Sequence, residues 1–248
     1  MSIKHALNPA AWAADCLGFT PDPVQASVLQ TRDKRGILNC SRQWGKSTVI
    51  AIKALHFAWF RPDCLVIVIS PSARQSGEFL RKVKRFVLKL DVPVHGDGEN
   101  RISLLLPNQS RIVGLPANED TIRGFSGAEL LVIDEASRVS DDMYSAVTPM
   151  LATTDGHLWL MSTPNGKRGF FYRQWNEPEG WIRIIAPATE CSRISSRFLA
   201  KERKEKGLMK FRQEYLCEFI QPAGALFDEL QVRKSLNPAV PAFLGKAA

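Results

Sequence analysis

Cysteine is scarce and unpatterned in this 248-residue chain. There are five, at positions 16, 40, 64, 191 and 217, and no C-x-x-C pair. That spacing offers neither a disulfide framework nor a zinc site, and it fits reduced thiols in a cytoplasm. The four histidines, at 5, 56, 95 and 157, are equally dispersed and make no metal-ligand cluster in the sequence. No apolar run approaches the ~20 residues that cross a bilayer, and the N-terminus lacks the apolar core of a signal peptide. Internal repeats and low-complexity stretches are missing as well. These absences point to a soluble, intracellular protein. What is present is a hydrophobic content of 45%, enough for a full core, and an ordinary 23% of charged residues. The length fits one large α/β domain, with or without a small appendage. A formal net charge of +8 suggests a polyanionic partner, DNA or RNA by default, although a basic surface also serves solubility.

Along the chain, strand patterns alternate with helical ones. Residues 1–30 read as amphipathic helix with a turn at Thr20-Pro21-Asp22-Pro23. Short apolar strands are expected at 36–39, 64–70, 129–137, 157–164 and 181–185, and a β-hairpin at 102–106 and 111–115. Helices are expected at 48–60, 74–90, 140–151, 167–175 and across 195–219, before a Pro/Ala-rich tail. Such alternation predicts a mostly parallel sheet with helices on both faces.

One more absence is informative. The segment Cys40-Ser41-Arg42-Gln43-Trp44-Gly45-Lys46-Ser47-Thr48 is a phosphate-binding loop with Cys40 where the first glycine of G-x-x-x-x-G-K-[ST] normally stands. Backbone N–H groups of such a loop and of the following helix surround phosphates, the lysine reaches the β/γ-phosphates, and the hydroxyl after it holds Mg²⁺. A G-K-S tripeptide alone is a weak signal. Here a strand precedes it and a helix follows, the arrangement this chemistry requires. About ninety residues on, an apolar strand ends in Asp134-Glu135, and carboxylates at a strand's C-terminal end project into the crevice where open α/β sheets bind ligands. Asp134 is placed to hold Mg²⁺ and Glu135 to polarise a water for in-line attack on a γ-phosphate. Strand-end solvation is the bland alternative, and the phosphate loop in the same chain argues against it.

Four further positions are candidates. Gln25, upstream of the first strand, either pairs with N6 and N7 of adenine and so selects ATP over GTP, or is a solvated residue of an amphipathic helix. Arg42 either reaches the γ-phosphate or braces the loop against a carboxylate. Ser162 and Thr163, followed by Pro164, end the strand after the carboxylates and can report the γ-phosphate state to the next segment, or form an ordinary strand-end turn. Arg123, in Thr121-Ile122-Arg123-Gly124, is an arginine finger in cis or from a neighbouring subunit, a contact to nucleic-acid phosphate, or a plain surface charge. The basic runs 81–85 and 201–206 read as solvated helix faces.

Together these segments resemble the ATPase motor domain of tailed-phage terminase large subunits. The likeness rests on Ser41-Arg42-Gln43-Trp44-Gly45-Lys46-Ser47, Ile133-Asp134-Glu135-Ala136, Ser162-Thr163-Pro164 with Gly166, and the stretch Phe211-Arg212-Gln213-Glu214-Tyr215-Leu216-Cys217-Glu218-Phe219, which is similar to the family's small lid region. The resemblance implies a P-loop ATPase of the additional-strand, catalytic-glutamate type, with a core over 1–190, a helical lid over 191–235 and a linker over 236–248. It implies ATP as substrate with Mg²⁺ on Ser47 and Asp134, Lys46 on phosphate, Glu135 as base, Gln25 reading adenine, Ser162 and Thr163 coupling, and Arg123 as a trans-acting finger. Its implied partners are double-stranded DNA, a portal protein, a small terminase subunit and further copies of itself in a ring, in the host cytoplasm and docked on the procapsid. Terminase large subunits usually continue into a two-metal nuclease. Residues 243–248 resemble only its opening strand, so no DNA cleavage is expected from this sequence. The alternatives are a fragment of a superfamily-2-like helicase, which shares the Gln, G-K-[ST], D-E-A and S-x-T motifs but needs a second RecA-like domain, and a nucleotide-dependent DNA-binding assembly protein.

Overall fold

A computed structural model describes residues 2–100, 102–118, 122, 124–177 and 179–221. Arg123, Thr121 and the segment 243–248 lie outside the described residues. The chain opens with three short helices, α1 (Ile3–Leu7), α2 (Pro9–Leu17) and α3 (Pro23–Gln30). Proline at the first turn suits the start of α2 and α3, because its missing N–H has no helical partner there. α3 begins with a capping box: Asp22 accepts the Gln25 backbone N–H at 2.8 Å, and the Asp22 N–H donates to Gln25 Oε1 at 3.2 Å.

β1 (Arg35–Cys40) then leads into α4 (Lys46–Trp59), β2 (Leu65–Ser70), α5 (Ala73–Leu88), β3 (Ser103–Leu105), β4 (Arg111–Pro116) and β5 (Leu130–Asp134). α6 (Asp141–Val147), β6 (His157–Ser162), α7 (Gly169–Asn176), β7 (Ile182–Ala186), α8 (Ser196–Lys206) and α9 (Leu208–Tyr215) follow. The seven strands form one sheet in the order β3-β4-β2-β5-β6-β1-β7. All pairs are parallel except the expected β3–β4 hairpin. β6 lies between the phosphate-loop strand β1 and the carboxylate strand β5. That is the inserted strand of the expected fold.

Period-2 alternation sends neighbouring residues of each strand to opposite faces. In β2, Val66 and Val68 pack with α2, α3, α4 and α5, while Leu65, Ile67 and Ile69 pack with α6, α7 and Phe170-Phe171. Both faces are therefore covered, which is why the strands read as unbroken apolar runs rather than alternating ones. α5 shows its amphipathic design directly: Phe79, Leu80, Val83, Phe86 and Val87 are buried while Arg74, Arg81, Lys84 and Arg85 are exposed. A small separate cluster of Ala188, Leu199, Phe211 and Tyr215 holds α8 and α9 together.

Three expected elements are shorter than their sequence patterns. The carboxylate strand stops at Asp134, because Glu135 turns out of it in the left-handed region (φ 51°). The helix after Ser140 ends at Val147 and tightens to a 3₁₀ turn over Thr148–Leu151, where Pro149 removes an N–H. The C-terminal helical pattern breaks at Gly207 (φ 76°) into α8 and α9 and ends at Tyr215. All five cysteines are free thiols. Among the described residues no helix is long and apolar enough to cross a membrane.

Candidate active site

The strand register brings the candidate residues to one edge. Asp134 of β5 pairs with Met161 of β6, Met161 with Leu38 of β1, and Asn39 with Ser162. The residues just beyond these levels, Ser41, Glu135 and Thr163, thus emerge side by side at the C-terminal edge of the sheet, where open α/β sheets bind ligands. A cleft of about 530 Å³ opens there, lined among others by Arg42, Lys46, Ser47, Glu135, Thr163 and Glu214.

The loop itself is tightly shaped. Gln43 and Gly45 both take positive φ (64° and 102°), and Gly45 is the residue from which α4 starts, so the helix N-terminus faces the cleft. Glycine is required at 45 on two counts: its φ disfavours a side chain, and a Cβ there would approach Gln25 Nε2 to 3.3 Å. The loop is braced from behind. Trp44 is buried, and its carbonyl accepts from Gln25 Nε2 at 3.2 Å and from Arg193 Nη2 at 2.6 Å. Arg193 also pairs with Asp22 at 3.2 Å. Ser41 donates its N–H to Ala186 O, and Cys40, in the missing glycine's place, is buried with its carbonyl accepting from Thr163 Oγ1 at 2.9 Å. Burial pushes the Cys40 thiol up to about 12, so it stays neutral and acts as a small packing residue.

The charges converge at one point. Lys46 Nζ lies 2.9 Å from Glu135 Oε1, and Arg138 Nε is 3.9 Å from Glu135 Oε2. Burial works against the Lys46 charge, the carboxylates of Glu135 and Asp134 favour it, and its pKa is raised. Asp134 is buried, and that burial, with the Glu135 charge beside it, pushes its carboxyl up to about 6. Asp134 Oδ1 accepts the Glu135 N–H at 2.9 Å, which helps hold Glu135 in its left-handed conformation. Such a conformation costs a non-glycine residue about 1–2 kcal/mol and is the kind of strain that collects at functional sites.

A short hydroxyl chain links the strand ends. Ser162 Oγ donates to Ser137 Oγ at 2.8 Å, and Ser137 Oγ donates to the Thr163 carbonyl at 2.8 Å. The chain joins the segment after the carboxylates to the segment after β6. Thr163 and Pro164 line the cleft; Ser162 is fully buried behind them.

The structure places the other candidates unequally. Ser47 lines the cleft beside Lys46, while Thr48 sits on the first turn of α4, its N–H donating to Gly45 O at 2.9 Å. Gln25 is buried behind Gly45 with both ends of its amide engaged, at the Asp22 N–H and the Trp44 carbonyl. Arg42 meets a carboxylate: its Nε is 3.5 Å from Glu214 Oε1 and its N–H donates to Glu214 O at 3.0 Å. Arg123 lies outside the described residues.

Five participants escape sequence reasoning. The run 81–85 is not wholly a solvated face, because Lys82 lines the cleft with Gln75 and has its ammonium pKa lowered, first by burial. Their spacing of seven, two helical turns, is the signal that could have found them. Arg193 and Glu214 meet the loop only through tertiary approach, and Arg138 reaches Glu135 from three residues on. Glu214 is buried, receives Lys206 Nζ at 2.7 Å, and joins α9 to the loop; Asn39 Nδ2 donates to Cys217 O at 2.8 Å just beyond.

The donor set fits a hard divalent cation together with phosphates. Asp134 is a buried carboxylate at an energetic disadvantage when ionised, which a cation would relieve, and the Ser47 hydroxyl lines the cleft in front of it with Glu135. No group of three or more His, Cys, Asp or Glu able to hold a metal occurs among the described residues. Mg²⁺ commonly takes one or two protein ligands and completes its shell with phosphate and water.

A family model described as terminase large subunit, T4likevirus-type, N-terminal, matches residues 37–234. The terminase large subunit of Thermus phage G20c is 26% identical over 268 residues, covering 91% of this chain and 54% of the relative. The chain thus spans about half the length of the curated relatives it matches. The large terminase ATPase domain of Thermus phage P74-26 superposes with a TM-score of 0.74 at 24% identity, covering 86% of this chain and 100% of that one. The large terminase of another thermophilic bacteriophage, in complex with ADP, gives 0.63 at 12% identity, covering 88% and 53%. The helicase-fragment and assembly-protein readings give way to this family match.

Proposed function

The chain belongs to the terminase large-subunit family, and from that premise we propose that it is the ATP-hydrolysing part of a motor that moves double-stranded viral DNA into a procapsid. The observation that carries the proposal is the meeting of Lys46 and Glu135 in a cleft headed by the N-terminus of α4, with Asp134 buried directly behind Glu135. A polyphosphate placed there meets backbone N–H groups, the helix dipole and one buried ammonium. Ser47 and Asp134 would hold Mg²⁺, which would neutralise charge on the β- and γ-phosphates.

Lys46 leaves Glu135 for the phosphate oxygens when the nucleotide enters. Glu135, released, accepts a proton from the water whose oxygen attacks the γ-phosphorus in line. The bond to the β–γ bridging oxygen breaks, and ADP and phosphate result. Thr163 touches the cleft, and its hydrogen bonds to Cys40 and Ser137 give the γ-phosphate state a route into the segment after β6. Arg42, held by Glu214, couples the loop to α9, so that residues 191–235 act as a lid; turned inward, the same guanidinium reaches the γ-phosphate. Gln25, by giving up its Trp44 bond, reads adenine. Arg123 serves the neighbouring subunit's site as a finger.

ATP, Mg²⁺, double-stranded DNA, the portal, a small subunit and a ring of like chains are the partners of this reading. It places the protein in the host cytoplasm, on the procapsid portal. The ADP bound by the thermophilic-phage terminase and the net charge of +8 support it. The test is steady-state ATP turnover with and without duplex DNA, with Lys46→Ala as control. Turnover that persists unchanged in Lys46→Ala overturns the assignment of the cleft.

A further inference from the structure

A second cavity, of about 370 Å³, lies at the opposite edge of the sheet. Leu130 and His157, the first residues of β5 and β6, form its floor, and Arg32, Lys34, Lys53 and Arg61 ring it. Among the described residues no Asp or Glu lines it. Lys34 pairs with Asp155 at the rim, and Asp33 acts on Lys53 from a distance. Among the described residues Arg32, Lys53 and Arg61 make no ion pair with any carboxylate. Arg61 stacks its guanidinium 3.8 Å over the Phe57 ring, and Arg32 reaches only the Leu7 carbonyl at 3.4 Å.

The local field is net positive, with Asp155 and Asp33 offsetting it only at Lys34 and Lys53. Burial and the cations Lys53 and Arg61 pull both cavity histidines, His56 and His157, down to about 4. Burial, with Arg61 adding to it, pulls Lys53 to about 7. Trp159, which also lines the cavity, has a fully buried indole N–H that makes no hydrogen bond among the described residues. Two guanidiniums with open donor faces, in a concave site with no lining acid among the described residues, match the bidentate acceptors of phosphate.

We propose that this basal cavity binds a phosphate group, separately from the nucleotide cleft. The inference stands apart from the reading of the cleft. Its occupant is a small polyphosphate or the backbone phosphate of a nucleic acid, both presenting the same oxygens. Binding there bears on the loop through α3: Lys53 holds the Val28, Leu29 and Thr31 carbonyls at its C-terminal end, and Gln25 at the other end holds Trp44.

The experiment is calorimetric titration of sodium tripolyphosphate, without divalent metal, into the full chain. Two sites are expected in the unchanged protein and one in Lys46→Ala, whose cleft is disabled. Arg32→Gln/Arg61→Gln, two exposed changes, should keep the cleft site and weaken the other at least ~10-fold, the scale of one lost charge-assisted hydrogen bond. Retention of the cleft site reports that this variant is folded. A 20-base-pair duplex is then titrated into Lys46→Ala loaded with tripolyphosphate. Displacement assigns the phosphate to nucleic acid; undisturbed binding assigns it to a free polyphosphate. Loss of all binding in Lys46→Ala, or a second site indifferent to the arginine changes, overturns the proposal. Two sites in Lys46→Ala would instead count against the cleft and leave the basal site standing.

Discussion

Lys46 and Lys53 sit on the same helix, seven residues and two turns apart, and are both largely buried, yet they live in opposite electrostatic worlds. Lys46 faces carboxylates, and its charge is held: its pKa is raised and Glu135 lies 2.9 Å away. Lys53 faces dipoles, with no carboxylate partner, and donates instead to three main-chain carbonyls, with the Trp159 ring 4.5 Å from its ammonium. Full charges offset desolvation where dipoles offset it only in part, so burial pulls Lys53 to about 7. The partner type, not the depth, decides whether a buried lysine is a movable charge or a structural cap. A lysine paired to one carboxylate can exchange it for phosphate at little cost. One that closes a helix end cannot leave without orphaning three carbonyls.

The sharpest way to break the comparison is to remove each lysine. Lys46→Ala is expected to lower ATP turnover at least ~10³-fold, since a preorganised charge at the developing phosphate oxygens is lost, while the melting temperature hardly falls. Turnover within a few-fold of the unchanged protein would dissolve the assigned role. Next in size, Glu135→Gln should slow turnover ~10²–10⁴-fold, the usual reach of a general base, and bind ATP at least as tightly as before. Lys46 then no longer has to give up a carboxylate to meet the phosphates. A weakened nucleotide affinity, read by titration of a fluorescent ATP analogue, would reassign Glu135 to metal holding.

The cleft was far more legible in the sequence than the base of the sheet. Gly45-Lys46-Ser47 and Asp134-Glu135 mark themselves because their chemistry is local: each motif sits at the end of its own strand, and the parallel sheet brings strand ends together. The fold was legible for the same reason, since runs such as Leu65–Ser70 declare a strand covered on both faces. What local pattern cannot carry is partnership across the fold. Nothing in the sequence pairs Arg42 with Glu214, 172 positions on, or sets Arg193 against the Trp44 carbonyl. Lys53, in a helix of ordinary amphipathic pattern, gives no sign that it closes another helix. Glu135 reads as strand, and its turn into the left-handed region depends on the Asp134 side chain and on its ion pair with Lys46.

At the other lysine the expected loss is in stability and not in rate. Lys53→Met keeps the aliphatic packing on Trp159 but leaves the Val28, Leu29 and Thr31 carbonyls without their donor. Each buried acceptor left unsatisfied costs ~1–3 kcal/mol, and water entering the adjoining cavity recovers part of it. A net loss of about 2–3 kcal/mol in urea unfolding is therefore expected, with turnover per folded molecule preserved. A variant as stable as its parent would mean that water closes α3 as well as the ammonium does.

The smallest effect tests the carboxylate side of the comparison through pH. Asp134 has its carboxyl raised from an ordinary 3.8 to about 6, by burial and then by Glu135. A carboxyl raised on folding binds more protons in the native state than in the unfolded one between those two values, so native stability falls as pH rises through that window. Below the lower value both states are protonated and nothing is lost; above the higher one the full cost of ionising a buried acid is present. Two pKa units correspond to roughly 3 kcal/mol, and solvent relaxation reduces this to about 1–2 kcal/mol in practice. Asp134→Asn removes the ionisation while keeping the acceptor for the Glu135 N–H. It should therefore unfold at higher urea than its parent at pH 8 and at the same urea at pH 3.5, in protein free of nucleotide and metal. Its turnover should vanish at every pH, because a site that stabilises itself by discarding a buried charge has discarded its hold on Mg²⁺. A gain in stability that is the same at pH 3.5 and pH 8 would trace to packing, and Asp134 would then carry no ionisation cost for a cation to relieve.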